Sequence, residues 1–221
     1  EVIPNGVDLQ RFRPVPDHAK KDLRLALGLG EIDRMIITVG SIIPRKGIDL
    51  LLESWQALGK RFPDLHFLLV GPRTDINDPK LTAFNQKLEE LVNSSGAGNR
   101  VHFTGRVQNV ESYLQAADLF VFASEREGMA NVILEAMASG LPVVLTPHIG
   151  LPPDFGAPAR QYLLADRKPA SIVEAVSELL ENEECCGELA ASGRKWVEAS
   201  MDLNRVLDRY ADLYHELSGR H

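Results

Sequence analysis

Two glutamates, Glu127 and Glu135, lie eight residues apart, and Gly128 directly follows the first of them. The surrounding pattern predicts a strand, a turn, a helix and a second strand, which places Glu127 and Gly128 where the helix begins. The first N–H groups of a helix have no partner within it, and they carry the positive end of its dipole. Because Gly128 has no side chain to keep an anion away, the turn predicts a phosphate docking site at Gly128, Met129 and Ala130.

Glu135 lies further along the same predicted helix, among Leu134, Ala136 and Met137. A carboxylate with apolar neighbours is costly to bury unless hydrogen-bond donors reach it. Sugar hydroxyls are such donors, so this position indicates a contact with a sugar. The alternative is structural: one glutamate caps the helix and the other is solvated on its face.

A pair of cations, Arg45 and Lys46, follows the first predicted strand in a loop that leads into a helix. Two solvated charges at the start of a helix would be the ordinary interpretation. Cations at this end of a helix oppose its dipole, however. The pair therefore favours an anionic ligand between this loop and the turn at Gly128.

Short apolar segments alternate with amphipathic helical patterns, and this alternation predicts the elements that position these side chains. Strands are predicted at 35–40, 66–71, 101–105, 119–123 and 141–145, with an edge strand at 161–164. Helices are predicted at 20–27, 48–62, 79–92, 110–117, 169–180, 183–200 and 202–217, besides the one that carries Glu135. The pattern is typical of an α/β fold with a doubly wound parallel sheet. We expect a single domain over residues 1–221, with residues 1–30 as a linker into it.

Four predicted strands end in residues that suit a ligand site: Gly40-Ser41, Gly71, Gly105-Arg106-Val107 and Glu127-Gly128. In open α/β sheets, ligands bind beyond the carboxyl ends of the strands. Each glycine alone is most simply a turn residue. Their joint placement at strand ends indicates one shared site.

The composition is that of an ordinary globular domain, with 44% hydrophobic and 25% charged residues. A formal net charge of −7 argues against a nucleic-acid-binding surface. No apolar segment is long enough to span a bilayer, so we expect a cytoplasmic protein, with peripheral association at the inner face of a membrane left open. The adjacent Cys185 and Cys186 predict reduced thiols on a helix, and no carboxylates or histidines have the spacing of a metal site.

The two glutamates are followed by an Ala-Met-Ala-x-Gly-x-Pro-Val-Val run from Ala136 to Val144, and together they resemble the paired-glutamate signature of retaining GT-B glycosyltransferases, in particular family four. A Gly-x-x-x-x-x-Lys-Gly pattern of that family is also present, from Gly40 to Gly47. The resemblance implies the C-terminal half of a GT-B fold, a Rossmann-like sheet with C-terminal helices that binds a nucleoside-diphosphate sugar.

The opening Ile-Pro-Asn-Gly-Val-Asp run, Ile3 to Asp8, is similar to the segment at which the family's C-terminal domain begins. The resemblance therefore implies an excised half of a longer enzyme. A missing N-terminal domain would then hold the acceptor, a sugar or a lipid-linked sugar. We expect the half alone to bind the donor nucleotide and to transfer sugar poorly or not at all.

The resemblance also implies a role for each matching residue. Arg45, Lys46 and Glu127 would be catalytic: the two cations would stabilise the departing nucleoside diphosphate in place of a metal ion or other cofactor, and Glu127 would contact donor-sugar hydroxyls. Glu135 would accept hydrogen bonds from the ribose hydroxyls. The other substrate-binding residues that it implies are Gly40, Ser41, Arg106, Val107, Gly128, Met129, Ala130 and Asn131.

One segment departs from the family. Relatives commonly have a glycine-rich turn followed by Pro-Glu after the strand that ends at Thr146, whereas this chain has His-Ile-Gly-Leu-Pro-Pro-Asp-Phe from His148 to Phe155. Contacts from this segment are therefore not carried over. His102 and His148 are interpreted as structural rather than as acid–base groups.

Two other functional classes stay open. One is a sugar-nucleotide sensor or scaffold without chemistry. The other is a dinucleotide-dependent oxidoreductase, which is disfavoured because Gly28-Leu-Gly30 continues to Asp33 where that fingerprint requires a third glycine.

Overall fold

A computed structural model describes residues 3–30, 34–73, 78–152 and 155–218. The strands are β1 (Arg34–Val39), β2 (Leu65–Val70), β3 (Val101–Gly105), β4 (Leu119–Phe122), β5 (Val143–Leu145) and β6 (Leu163–Leu164). The helices are α1 (Asp17–Ala26), α2 (Ile48–Arg61), α3 (Pro79–Ser94), α4 (Val110–Ala116), α5 (Asn131–Ala138), α6 (Pro169–Glu181), α7 (Glu183–Ser200) and α8 (Leu203–Ser218). Short 3-10 turns at Pro44–Lys46 and Gly98–Arg100 complete the described structure.

The strands form one parallel sheet in the order β3-β2-β1-β4-β5-β6. The chain builds outward from β1 to β3, then returns to β4 beside β1 and builds outward in the other direction. This is the doubly wound arrangement predicted from the sequence, and its switch point lies between β1 and β4. A ligand crevice is expected at the carboxyl ends of these two strands.

Buried side chains from both faces of the sheet form the core. Helices α2, α3 and α6 cover one face, where Trp55 is fully buried and its ring lies 5.8 Å from that of Phe67. Helices α4, α5 and α7 cover the other face, around Phe120 and Met137. Because the central strands are buried on both sides, they appear in the sequence as continuous apolar runs.

Several element boundaries differ from the predictions: α1 begins at Asp17 rather than at residue 20, and β5 begins at Val143 rather than at residue 141. Helix α5 begins at Asn131, so residues 128–130 form a separate turn ahead of it. The edge strand β6 contains only Leu163 and Leu164. Over the described ranges, none of the helices has both the length and the apolar character needed to cross a bilayer. Cys185 and Cys186 are free thiols within α7, as predicted.

Candidate functional site

The carboxyl ends of β1 and β4 bring the Arg45–Lys46 loop and the turn at Glu127 together. Lys46 Nζ lies 2.7 Å from Glu127 Oε1, and Arg45 Nη1 lies 3.6 Å from the same oxygen. The side chains of Lys46 and Glu127 are only 16% and 12% exposed, whereas that of Arg45 is 46% exposed. Lys46 and Glu127 therefore form a shielded ion pair at the switch point, with Arg45 at its open side.

The loop of Arg45 and Lys46 (the cation loop) approaches the end of β4 closely because residue 47 is a glycine. The 3-10 turn that carries Arg45 and Lys46 ends at Gly47, whose φ is +67°. A Cβ at Gly47 would overlap the carbonyl oxygen of Ala123, which follows β4. Both the left-handed backbone and the close approach require glycine.

Further hydrogen bonds join the two loops. The N–H of Glu125 donates to the carbonyl of Arg45 at 2.9 Å, and the Arg45 guanidinium donates to the carbonyl of Arg126 at 2.5 Å. The buried hydroxyl of Ser124 lies 3.1 Å from the Arg45 carbonyl and 2.5 Å from Glu127 Oε1. The relative position of cations and carboxylate is thus fixed by backbone as well as by side chains.

The environment of Glu127 favours its ionised form. Burial would raise the pKa of this carboxyl, but the hydrogen bonds from Lys46 and Ser124 and the charges of Lys46 and Arg45 outweigh burial. The pKa of Glu127 consequently lies below its ordinary value. At neutral pH the side chain is a hydrogen-bond acceptor only.

The turn Gly128–Ala130 presents unused backbone donors. Ala130, the N-cap residue of α5, offers no side chain to the first N–H groups of the helix. Within the described residues, the N–H groups of Gly128, Met129 and Ala130 have no hydrogen-bond acceptor. These donors precede the helix itself, and the dipole of α5 points its positive end at them. The arrangement suits an anion.

Glu135 on α5 is a carboxylate that lacks donors. No described residue donates a hydrogen bond to it. Burial raises the pKa of Glu135, the charge of Arg11 opposes this effect, and the charge of Glu111 adds to it. Arg11 itself is engaged with Glu111, at 2.7 Å. The position therefore retains the acceptor capacity that the sequence indicated.

Of the other predicted residues, Gly40 lies beside the ion pair. Gly40 directly follows β1 with a φ of +153°, and a Cβ there would lie 3.6 Å from the ammonium of Lys46. Ser41 follows it and is half-buried. Glycine at 40 therefore leaves open space next to the Lys46 ammonium.

The remaining predicted residues follow β3 or begin α5. Arg106 is exposed and Val107 is half-buried, and both follow β3, two strands away from β1. Asn131 is exposed at the start of α5, and its side-chain oxygen accepts a hydrogen bond from Asn5 Nδ2 at 2.9 Å. Across the described residues, no side-chain contact joins Arg106 or Val107 to the Lys46–Glu127 pair.

The segment that departs from the family brackets Glu127. The N–H of Glu127 donates to the carbonyl of Ile149 at 2.8 Å, and Gly150, with a φ of +97°, packs against the Glu127 carbonyl. His148 contacts the carbonyl of Thr146 at 3.2 Å. His102 forms a 2.8 Å hydrogen bond with His66. The structural interpretation of His102 and His148 stays a prediction.

Sequence analysis missed two residues of this region. Ser124 is one, although a lone hydroxyl at the end of the apolar β4 run was a usable signal. The other is Arg167, which lies in the loop before α6 and donates to the carbonyl of Ala123 and, at 3.0 Å, to Glu125. Nothing local in the sequence indicates that contact. In the part of the chain that the structure describes, no three His, Cys, Asp or Glu side chains are grouped so that they could hold a metal ion.

Comparison with known proteins identifies relatives of the whole domain. Residues 33–182 match the family described as Glycosyl transferases group 1. The GDP-mannose-dependent alpha-(1-6)-phosphatidylinositol monomannoside mannosyltransferase of Mycobacterium tuberculosis is 29% identical over 221 aligned residues, which cover 96% of this chain and 54% of that protein. The chain thus spans about half the length of this curated relative.

Solved structures show the same fold. Sucrose-phosphate synthase from Thermosynechococcus elongatus superposes with a TM-score of 0.85 at 27% identity, over 100% of this chain and 53% of that one. The HepE protein of Anabaena, solved with UDP and glucose, superposes with a TM-score of 0.85 at 21% identity, over 98% of this chain and 57% of that one.

These similarities confirm the prediction of a Rossmann-like domain of the GT-B type. The retaining mechanism, the status of a C-terminal half and the roles of individual site residues stay predictions. Because the matched family covers more than half of the sequence, the chain belongs to the glycosyl transferases group 1 family.

Proposed function

We propose that this chain binds a nucleoside-diphosphate sugar and is the donor-binding half of a retaining glycosyltransferase. The observation that carries the proposal is the shielded Lys46–Glu127 pair beside the unused N–H groups of residues 128–130. Cations and backbone donors suit a diphosphate, and a neighbouring carboxylate suits sugar hydroxyls. The site thus offers complementary groups for the two halves of one ligand.

The diphosphate binds between the cation loop and the turn. Arg45 and Lys46 contact it from one side, and the N–H groups of Gly128, Met129 and Ala130 contact it from the other. As the bond from sugar to phosphate breaks, negative charge grows on the departing diphosphate, and these fixed donors stabilise it without reorganisation. No cofactor is required in this scheme.

The other parts of the donor bind around the diphosphate. The ribose hydroxyls donate to Glu135, whose carboxylate has no other donor among the described residues. The base lies at the end of β3, against the backbone of Arg106 and Val107. The sugar lies towards Glu127, Gly40, Ser41 and Asn131. The retaining course of the reaction is supported by the resemblance of the glutamate pair to that class.

An acceptor is held by a domain outside this chain. The curated relative and the solved relatives are about twice as long as the matched region, which supports a two-domain enzyme. The name of the mannosyltransferase contains phosphatidylinositol monomannoside, which supports a sugar or lipid-linked acceptor. We further propose that the enzyme acts at the cytoplasmic side of a membrane. On this proposal the isolated chain binds donor but transfers sugar poorly, and efficient transfer by the chain alone would contradict it.

Calorimetric titration with UDP, GDP and ADP tests the proposal. UDP is bound in the HepE structure and GDP-mannose is the donor of the mannosyltransferase, so one of these two nucleotides is the expected ligand. Replacing Glu135 with Ala should weaken binding about tenfold to a hundredfold, the effect of losing hydrogen bonds to a charged group. Replacing Glu184, an exposed residue of α7, with Ala is the control and should change nothing. Failure of all three nucleotides to bind at millimolar concentration would refute the proposal.

A further inference from the structure

The hydroxyl of Ser124 is buried against the carboxylate of Glu127. Ser124 is the second residue after β4, is fully buried, and places its Oγ 2.5 Å from Glu127 Oε1. The same hydroxyl lies 3.1 Å from the carbonyl of Arg45 and 3.3 Å from that of Arg126. It has one proton for three acceptors. The ionised oxygen at the shortest distance is the strongest of them, so the proton points to Glu127.

The contacts of the Glu127 carboxylate are confined to one of its oxygens. Ser124 and Lys46 reach Oε1 at 2.5 Å and 2.7 Å, and Arg45 lies 3.6 Å from the same atom. No donor from the described residues reaches Oε2. One oxygen is therefore saturated by the protein, and the lone pairs of the other are available to a ligand.

We infer that Ser124 is a positioning residue, which holds Oε1 of Glu127 against the protein and so directs Oε2 at a hydroxyl of the donor sugar. The inference rests on the proposed function of this site. The terminal torsion of a glutamate is broad, so a single contact with Lys46 does not fix the plane of the carboxylate. Two donors to the same oxygen, Lys46 and Ser124, restrict that plane and so hold the second oxygen in one direction. Ser124 itself makes no contact with the sugar.

If Ser124 orients Glu127, its removal should affect the affinity for the sugar nucleotide but not the affinity for the diphosphate. Diphosphate binding depends on Arg45, Lys46 and the turn at residues 128–130, none of which loses a group when Ser124 becomes Ala. The additional affinity of the sugar nucleotide over the nucleotide depends on the oriented Oε2. A merely structural serine would change both affinities or neither.

The experiment compares GDP with GDP-mannose, and UDP with UDP-glucose, by calorimetry on the wild type and on Ser124→Ala. In the wild type the sugar nucleotide of the bound pair should bind more tightly than its diphosphate. In Ser124→Ala the diphosphate affinity should stay within about twofold of the wild type, and the gain from the sugar should fall about tenfold, the value of one hydrogen bond to a charged group.

Two further variants control the comparison. Ser177→Ala removes another buried serine hydroxyl, on α6, which has no partner among the described residues, and it should leave both affinities unchanged. Ser124→Thr keeps the hydroxyl and should restore the gain. If the added methyl of this variant prevents folding, seen as loss of a cooperative thermal transition, the comparison of Ser124→Ala with Ser177→Ala decides.

The possible outcomes distinguish a failure of the inference about Ser124 from a failure of the proposed function. An unchanged gain from the sugar in Ser124→Ala would overturn the inference while diphosphate binding still supports the proposed function. A wild type that binds the diphosphate but gains nothing from the sugar would also overturn it. Absence of any diphosphate binding would refute the proposed function, and the inference with it.

Discussion

The Lys46–Glu127 ion pair should make each of its members depend on the other for stability. Replacing Lys46 with Met removes the ammonium and leaves the shielded carboxylate without this partner. Replacing Glu127 with Gln likewise leaves the shielded ammonium without a carboxylate. The double variant leaves neither charge. We therefore expect the two single substitutions to be costly and the double substitution to cost much less than their sum.

The size of the effect follows from the geometry. Breaking a fully buried ion pair by removing one partner costs about 3–5 kcal/mol. The Lys46–Glu127 pair is 2.7 Å long but keeps 16% and 12% exposure, and Glu127 retains Ser124 as a donor. We therefore expect about 2 kcal/mol for each single variant, about 2 kcal/mol for the double variant, and a coupling energy of about 2 kcal/mol.

Urea denaturation of the wild type, both single variants and the double variant measures the coupling. The matched control is the pair of Arg61 and Glu181, which is 2.7 Å long but about half exposed on both sides. Its cycle should give no more than about 0.2–1 kcal/mol, because exposed ion pairs contribute little. If the Lys46–Glu127 substitutions are additive within about 0.5 kcal/mol, the pair is not coupled and the description of the site is wrong.

The coupling should also depend on pH in a defined direction. The folded-state pKa of Glu127 lies below its ordinary value of 4.5, so the folded protein releases this proton more readily than the unfolded chain. Its contribution to stability is therefore complete above pH 4.5, and it is lost as pH falls through the lowered folded value. Denaturation at pH 7 should show the full coupling, and denaturation well below pH 4.5 should show less.

Three other substitutions, with a fourth as a control, test separate features. Glu135→Gln should raise the free energy of unfolding at pH 7 by about 0.5–1 kcal/mol and should weaken nucleotide binding. Burial raises the pKa of Glu135, which means that the charged carboxylate destabilises the folded state. The gain in stability should therefore vanish as pH falls towards 4.5, where the wild-type carboxyl is protonated. Gly47→Ala should lower the free energy of unfolding by about 2–4 kcal/mol in urea denaturation, because φ is +67° and the new methyl would overlap the Ala123 carbonyl. The control is Gly187→Ala on α7, where the space around the glycine is open. This variant should raise the free energy of unfolding by about 0.5–1 kcal/mol. Trp55→Ala should cost about 3–5 kcal/mol by the same measurement, because this side chain is fully buried.

The sequence predicted the sheet well because its central strands are buried on both faces. Residues 35–39 and 119–122 are apolar runs bounded by turn residues, and both are strands in the structure. The alternation with helices then predicted the doubly wound topology, and with it the sheet edge at which the candidate site residues lie. The edge strand predicted at 161–164 was too long, because β6 contains only Leu163 and Leu164, which pair with β5.

The pairing of charges within the site lay beyond sequence reasoning. Lys46 and Glu127 are 81 residues apart, and their contact depends on the close approach of Gly47 to Ala123. The start of α5 was placed too early for a similar reason. Met129 and Ala130 are acceptable helix formers, but the N–H of Glu127 is bound to the carbonyl of Ile149, 22 residues later in the chain, and this long-range contact keeps the backbone extended before the turn.

The ion pair is also compatible with the diphosphate binding proposed for this site, although it places two charges of opposite sign there. An ammonium has three donors, and Lys46 uses one of them on Glu127 Oε1, so the others are available to phosphate oxygens without breaking the pair. Arg45 is more exposed and contributes the positive charge that Glu127 does not neutralise. On the proposed function, the carboxylate would hold the ammonium in place before the donor binds, so the donor would not have to order it. A site built in this way loses little of its electrostatic attraction and gains preorganisation, which is the form in which fixed charges stabilise a departing diphosphate most effectively.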